Sequence, residues 1–193
     1  MTSASSIPLV DEPESLSWWV VYARHQHEKV VADILASKSF EVFLPLYSSV
    51  RRWKDRQKVI SMPLFPGYVF VRGDLDRRLQ VLTTPGVHMI LSRGDKVATV
   101  PEEEMQAVRK VVSSELSAEP HPFLKCGERV RVKTGPLAGV EGILDRKKGS
   151  YRLVLSVDAV NKSFAVEVEM SDVEPVPSGE SRPVIAADPV LAT

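Results

Sequence analysis

Arg51 to Arg72 reads R-R-W-K-D-R-Q-K-V-I-S-M-P-L-F-P-G-Y-V-F-V-R, a cationic arm joined to an apolar strand. Within eight residues Arg51, Arg52, Lys54, Arg56 and Lys58 stand against one acid, Asp55, with Trp53 among them. Such an arm suits a polyanion or an acidic protein surface, and equally a solvated basic hairpin. Pro63 and Pro66-Gly67 then turn the chain, and Tyr68-Val69-Phe70-Val71 has the aromatic and β-branched content of a strand.

Working outward, Trp18 to Tyr22 reads as a strand, and the next segment, H-Q-H-E-K-V-V-A-D-I-L-A-S-K, sets Val30, Val31, Ile34 and Leu35 at helical spacing. Phe40–Leu44 and Tyr47–Val50 are extended pieces broken at Pro45, after which the basic arm reverses the chain. Arg77–Leu82 suits a short helix and Val87–Leu91 a strand. Pro101-Glu102-Glu103-Glu104 opens a last helix, with proline early and three acids at its positive end. Met105, Val108, Val112 and Leu116 are its expected buried face. Strands and helices alternating around one antiparallel sheet make an α+β sandwich over residues 17–116.

S-A-E-P-H-P-F-L, residues 117–124, has two prolines between a helical and a β-rich pattern and reads as a linker. Residues 125–176 are all β. Val130 and Val132 alternate with charged residues. Tyr151, Leu153, Leu155 and Val157 alternate with positions read as polar, and Phe164, Val166 and Val168 alternate with Ala165, Glu167 and Glu169. Five short strands in about fifty residues imply a small barrel. Residues 1–16 and 177–193, rich in Ser, Pro and acids or in Pro alone, read as disordered tails.

With 193 residues, 44% of them hydrophobic, the chain has material for one large or two small cores. No apolar run approaches the ~20 residues of a membrane span, and the N-terminus lacks a basic and apolar leader, so a cytoplasmic protein without membrane contact is expected. Cys126 is the only cysteine, which excludes an internal disulfide and points to a small buried or linker residue rather than a nucleophile. The net charge is zero but unevenly spread. Residues 17–116 hold 15 Lys and Arg against 11 acids, residues 117–176 hold 9 against 9, and both tails are acidic. Any nucleic-acid contact is therefore local.

W-W-V-V-Y-A-R with its helix, L-P-L-Y-S-S-V-R-R-W-K-D-R-Q-K and P-L-F-P-G-Y-V-F-V together resemble the N-terminal (NGN) domain of NusG-type transcription elongation factors. G-E-R-V-R-V-K-T-G-P-L-A-G-V-E-G-I-L resembles the KOW motif, an SH3-like five-stranded barrel that follows that domain in the family. The arm and the P-L-F-P-G-Y run look most like the specialised RfaH and UpxY type of antiterminator; a housekeeping NusG-type factor is the alternative.

The resemblance implies a monomeric factor without cofactor that clamps RNA polymerase across its cleft and suppresses pausing or termination. It implies that Phe65, Tyr68, Phe70, Met105 and Val108 meet the β′ clamp helices, with the aromatics as anchors on an exposed strand. Arg77, Arg78 and Leu79 correspond in place to a gate-loop contact on the β subunit, although the His-Thr-Thr type of sequence of one paralogue is absent. Arg24, His25, His27 and Lys29 match the positions beside non-template DNA and could hold phosphate and stack on bases. His25 and His27 have no third ligand of suitable type nearby, so a metal site is not expected. The KOW domain would recruit a small-subunit ribosomal protein or Rho. Whether that barrel refolds as a helical hairpin, as in one specialised relative, is left open; the alternation over 151–168 favours strands.

Two other classes compete. An enzyme would need a catalytic seat, and no G-x-S-x-G, phosphate-cradling loop, HExxH or paired-carboxylate motif is present. A ribosomal or RNA-binding KOW protein is commonly strongly basic, whereas residues 117–176 are neutral.

Overall fold

A computed structural model describes residues 17–53, 56–114, 116, 118–122, 127–147 and 149–176. The N-terminal half is built on β1 (Ser17–Ala23), β2 (Glu41–Phe43), β5 (Tyr68–Gly73) and β6 (Val87–Ile90), ordered β2-β5-β1-β6, with β9 (Thr99–Val100) also pairing β1. All these pairs are antiparallel. Helices α1 (Glu28–Ser37), α2 (Arg78–Leu82) and α3 (Glu102–Ser113) pack on the sheet, and two hairpins project from it: β3 (Leu46–Trp53) with β4 (Arg56–Pro63), and β7 (Ser92–Arg93) with β8 (Lys96–Val97).

Strand alternation divides this half into two cores. Trp19, Val21, Val69 and Val71 face α1 and meet Val31, Leu35, Phe40 and Val81. Trp18, Val20 and Phe70 face the other way, into a cluster with Leu64, Phe65 and, from α3, Met105, Val108 and Val111. The second cluster does not stop at α3. It runs on through Val130, Val132, Leu153, Leu155, Phe164 and Val166 of the C-terminal half.

That half is a six-stranded antiparallel sheet, ordered β10 (Ala118–His121), β14 (Lys162–Val168), β13 (Ser150–Val157), β12 (Glu141–Lys147), β11 (Glu128–Val132) and β15 (Val173–Pro175). It curls on itself. His121 Nε2 on edge strand β10 lies 3.5 Å from Asp145 Oδ2 on β12, three strands away in sheet order. At Gly142 the strands approach so closely that an added Cβ would stand 2.6 Å from the Val154 carbonyl oxygen.

Four expectations are corrected. Residues 118–121, within the expected linker, form β10 and pair in register with β14, Ala118 opposite Val166 and His121 opposite Ser163; the sheet therefore has six strands, not five. On α3, Val111 is buried and Val112 only partly, while Leu116 lies exposed beyond the helix end at Ser113, because the inner face follows i, i+3, i+6 here. On α1, Val31 and Leu35 are buried but Val30 is half exposed. In β13 and β14, Val154 and Ala165 are buried along with their neighbours, so the expected alternation of inner and outer positions fails there. The tails and Cys126 lie outside the described residues.

The start of α3 is tied to the sheet by Glu102, which accepts a hydrogen bond from Gln106 Nε2 at 2.6 Å and from Trp18 Nε1 at 2.8 Å. The Gln106 bond, against a weaker opposing desolvation and with help from the indole, holds this carboxyl below its ordinary value of 4.5. A depressed carboxyl stabilises the fold above that value and loses its contribution as pH falls through the folded pKa. Tryptophan emission should therefore change on acidification below about pH 4.5, by a component missing in Glu102→Gln, with the change monitored by fluorescence titration.

Candidate functional site

The Pro66-Gly67 turn organises one end of the N-terminal sheet. Gly67 has φ +87, and a Cβ there would lie 2.7 Å from the Tyr22 ring, so the turn needs glycine for both reasons. Gly67 N donates to Glu28 Oε1 at 2.8 Å, and Ala23 N donates to Gly67 O at 2.8 Å. Glu28, buried in the first turn of α1, thus fixes the helix start against the turn and the end of β1.

On this support Tyr68, Tyr22 and Met89 stand opposite one another across β5, β1 and β6, on the face that also carries Val20 and Phe70. The Tyr22 and Tyr68 rings are 5.4 Å apart, and His88 meets Tyr22 edge-on at 5.7 Å. Tyr22 and Met89 are exposed and Tyr68 partly so. Burial first, and then Tyr22, push the Tyr68 phenol above its ordinary value, so it remains a neutral donor at physiological pH.

Beside this aromatic step the chain leaves β1 through Arg24, His25, Gln26 and His27, with Gln26 in the left-handed region at φ +60. Arg24, His25, His27 and Lys29 are all exposed and gathered at this one corner. Lys29 Nζ donates to Ser61 O at 2.9 Å, which ties the corner to the base of the β3–β4 hairpin. The basic arm is the tip of that hairpin, with Arg51 opposite Lys58, Arg52 opposite Gln57 and Trp53 opposite Arg56. Lys58 is exposed; Lys54 and the side chains of Arg51, Arg52, Trp53 and Arg56 lie outside the described residues. Among the described residues no group of three His, Cys, Asp or Glu is arranged to hold a metal.

The other expected residues are placed differently. Phe65, Phe70, Met105 and Val108 are 1%, 0%, 0% and 1% exposed, so they do not stand on an open strand. The cause is tertiary. Phe65 packs edge-on against Phe70 and against Phe164 of β14, each at 5.7 Å, and Lys110 Nζ on α3 donates to Ala138 O at 3.0 Å. The C-terminal sheet covers the face that Tyr22, Tyr68 and Met89 continue into solvent. Arg77 is also committed, with its guanidinium 4.0 Å over the Phe40 ring and Nη2 donating to Lys38 O at 2.7 Å. Arg78 and Leu79 are free of that packing, and Leu79 is 68% exposed.

Sequence reasoning left out Tyr22 and Glu28. Tyr22 continues the alternation of Trp18 and Val20 and was in principle readable; the Glu28–Gly67 bond joins residues far apart in the chain and leaves no local signal.

A family model described as transcription termination factor nusG matches residues 16–109. The chain is 30% identical over 173 residues to the transcription termination/antitermination protein NusG of Pseudomonas aeruginosa, covering 82% of this chain and 98% of that one. The chain belongs to the NusG family. The NusG of Helicobacter pylori strain J99 is 28% identical over 126 residues, 64% of this chain and 72% of that protein. A solved structure of Thermotoga maritima NusG, described as a domain interaction, shares the fold with a TM-score of 0.52 at 20% identity, over 83% of this chain and 97% of that one. NusG proteins are transcription factors, not enzymes, and family membership implies binding to RNA polymerase.

Glu28→Ala should leave the Gly67 amide unpaired and destabilise the protein by about 1 to 3 kcal/mol in chemical denaturation, whereas Glu28→Gln, which keeps an acceptor oxygen, should cost less.

Proposed function

We propose that the protein is an elongation and antitermination factor acting in the cytoplasm, which binds RNA polymerase through the face of β5, β1 and α3 and suppresses pausing or termination. The observation that carries this reading is the single sheet face running from Phe65 and Phe70 to Tyr68, Tyr22 and Met89. Its outer part forms an exposed aromatic step on a rigid turn, the type of anchor that dominates protein interfaces. Its inner part, Phe65 with Met105 and Val108 beside it, would meet the polymerase clamp helices only after the C-terminal sheet has moved off Phe65. The docked sheet and the polymerase therefore compete for one surface.

The corner of Arg24, His25, His27 and Lys29, with the basic hairpin tied to it through Lys29, supports a contact with the non-template strand in which cations hold phosphate and Tyr22 or a histidine stacks on a base. On α2, Arg78 and Leu79 are the residues available to a gate loop, while Arg77 supports them. The long basic arm favours the specialised, operon-selective kind of factor. The released C-terminal sheet is read as the KOW domain, offered to a small-subunit ribosomal protein or to Rho.

Two measurements test this. The double substitution Tyr22→Ala/Tyr68→Ala should weaken polymerase binding by about 2 to 4 kcal/mol, roughly 30- to 1,000-fold, with little loss of stability because Tyr22 is exposed and Tyr68 partly so. In reconstituted elongation, on a generic template and on the leader of the cognate operon, the native protein should shorten pauses and the double variant should not. Unchanged pausing with native, folded protein on both templates contradicts the proposal.

A further inference from the structure

The edge of β14 is filled by the chain's own connecting segment. β10 is four residues long, pairs with β14 and with no other strand, and stands at the end of the strand order, so it can leave without dismantling the rest of the sheet. It is also a weak strand, only four residues long and with Pro120, a residue strands disfavour, in its middle. Its side chains nevertheless meet a specific set of partners. Ala118 is buried in the shared core. Glu119 accepts from Arg152 Nη1 of β13 at 3.4 Å, and His121 lies 3.5 Å from Asp145 of β12. Arg152 Nε is buried beside this contact without a hydrogen-bond partner, so Glu119 leaves part of the guanidinium unsatisfied.

We propose that the β14 edge is a strand-acceptor site, closed by Ala118–His121, that takes an extended peptide of a partner protein when this segment peels away. The partner segment is defined by what the edge presents: a small apolar residue in the place of Ala118, a carboxylate next for Arg152, and a cation two residues after the carboxylate for Asp145. Residues i and i+2 of a strand share a face, as Glu119 and His121 do. A partner strand with a bidentate carboxylate in the place of Glu119 would also occupy Arg152 Nε. The exchange has a mechanical consequence. With β10 in place only residues 114–117 join α3 to the C-terminal sheet, a reach of at most about 14 Å; with β10 displaced residues 114–127 are free, a reach of about 50 Å. Capture of a partner strand would thus release the sheet to travel. This goes beyond the polymerase reading and stands without it.

The test uses the full-length protein and a fluorescent peptide with the sequence of residues 114–122 carrying Pro120→Val. In the charge-swapped chain Glu119→Lys/His121→Glu the native segment should hold its edge poorly. The peptide should then bind at least tenfold more tightly than to the native chain, and the β14 amides that face β10 should exchange with solvent faster. A peptide with the same two charges swapped should bind at least tenfold more weakly than the unswapped peptide. Should the swapped chain fail to fold, Pro120→Val in the full chain gives the opposite comparison, with slower β14 exchange and weaker peptide binding than native. Equal peptide binding by all chains, or faster exchange without peptide binding, overturns the proposal. A swapped chain that dimerises instead assigns the edge to a second copy and overturns the partner reading.

Discussion

The stacking of Phe65 between Phe70 and Phe164 is the contact on which the rest of the structure depends. Two edge-on aromatic pairs, worth on the order of 1 kcal/mol each beyond the area they bury, merge what would otherwise be two hydrophobic cores into one. That merger decides what the molecule shows to solvent. It hides the inner half of an apolar sheet face, leaves the outer half at Tyr22, Tyr68 and Met89 exposed, and places α3 between the two sheets.

Below that contact lies a second constraint, the buried bond from Gly67 to Glu28. It joins the turn before β5 to the first turn of α1, so that the aromatic step and the cationic corner are carried on one rigid support. A nucleic-acid surface on a net-neutral protein must be local, and the proposed one is: the exposed Arg24, His25, His27 and Lys29 at the end of β1 and the start of α1, with the hairpin linked through Lys29. In the proposed function, polymerase anchoring and strand contact sit side by side for this reason.

Much of the fold was legible because it rests on local rules. The alternation in Trp18–Tyr22 and Tyr68–Val71, the turn at Pro66-Gly67 and the acidic start of α3 are each set by neighbours within a few residues. The misplacements are of another kind. Phe65 and Phe70 carry the same residue types whether they face a partner or a second sheet of the same chain, and only the arrival of Phe164 distinguishes these. Pro120 made residues 118–121 read as linker, since the pairing with β14 depends on an edge that forms much later in the sequence. Arg77 reads as a surface cation, yet the Phe40 ring and the Lys38 carbonyl claim it. On α3 the buried face takes Val111 rather than Val112, and Leu116 lies beyond the helix end at Ser113.

The central claim is that polymerase and the C-terminal sheet compete for the face around Phe65. The most direct measurement is the distance between fluorescent probes on Arg93 and Ser171, two exposed residues in the two halves, in the full-length protein with and without polymerase. The account predicts a longer separation in the bound protein, with the change abolished together with binding in Tyr22→Ala/Tyr68→Ala. Tight binding of polymerase at an unchanged separation would contradict it.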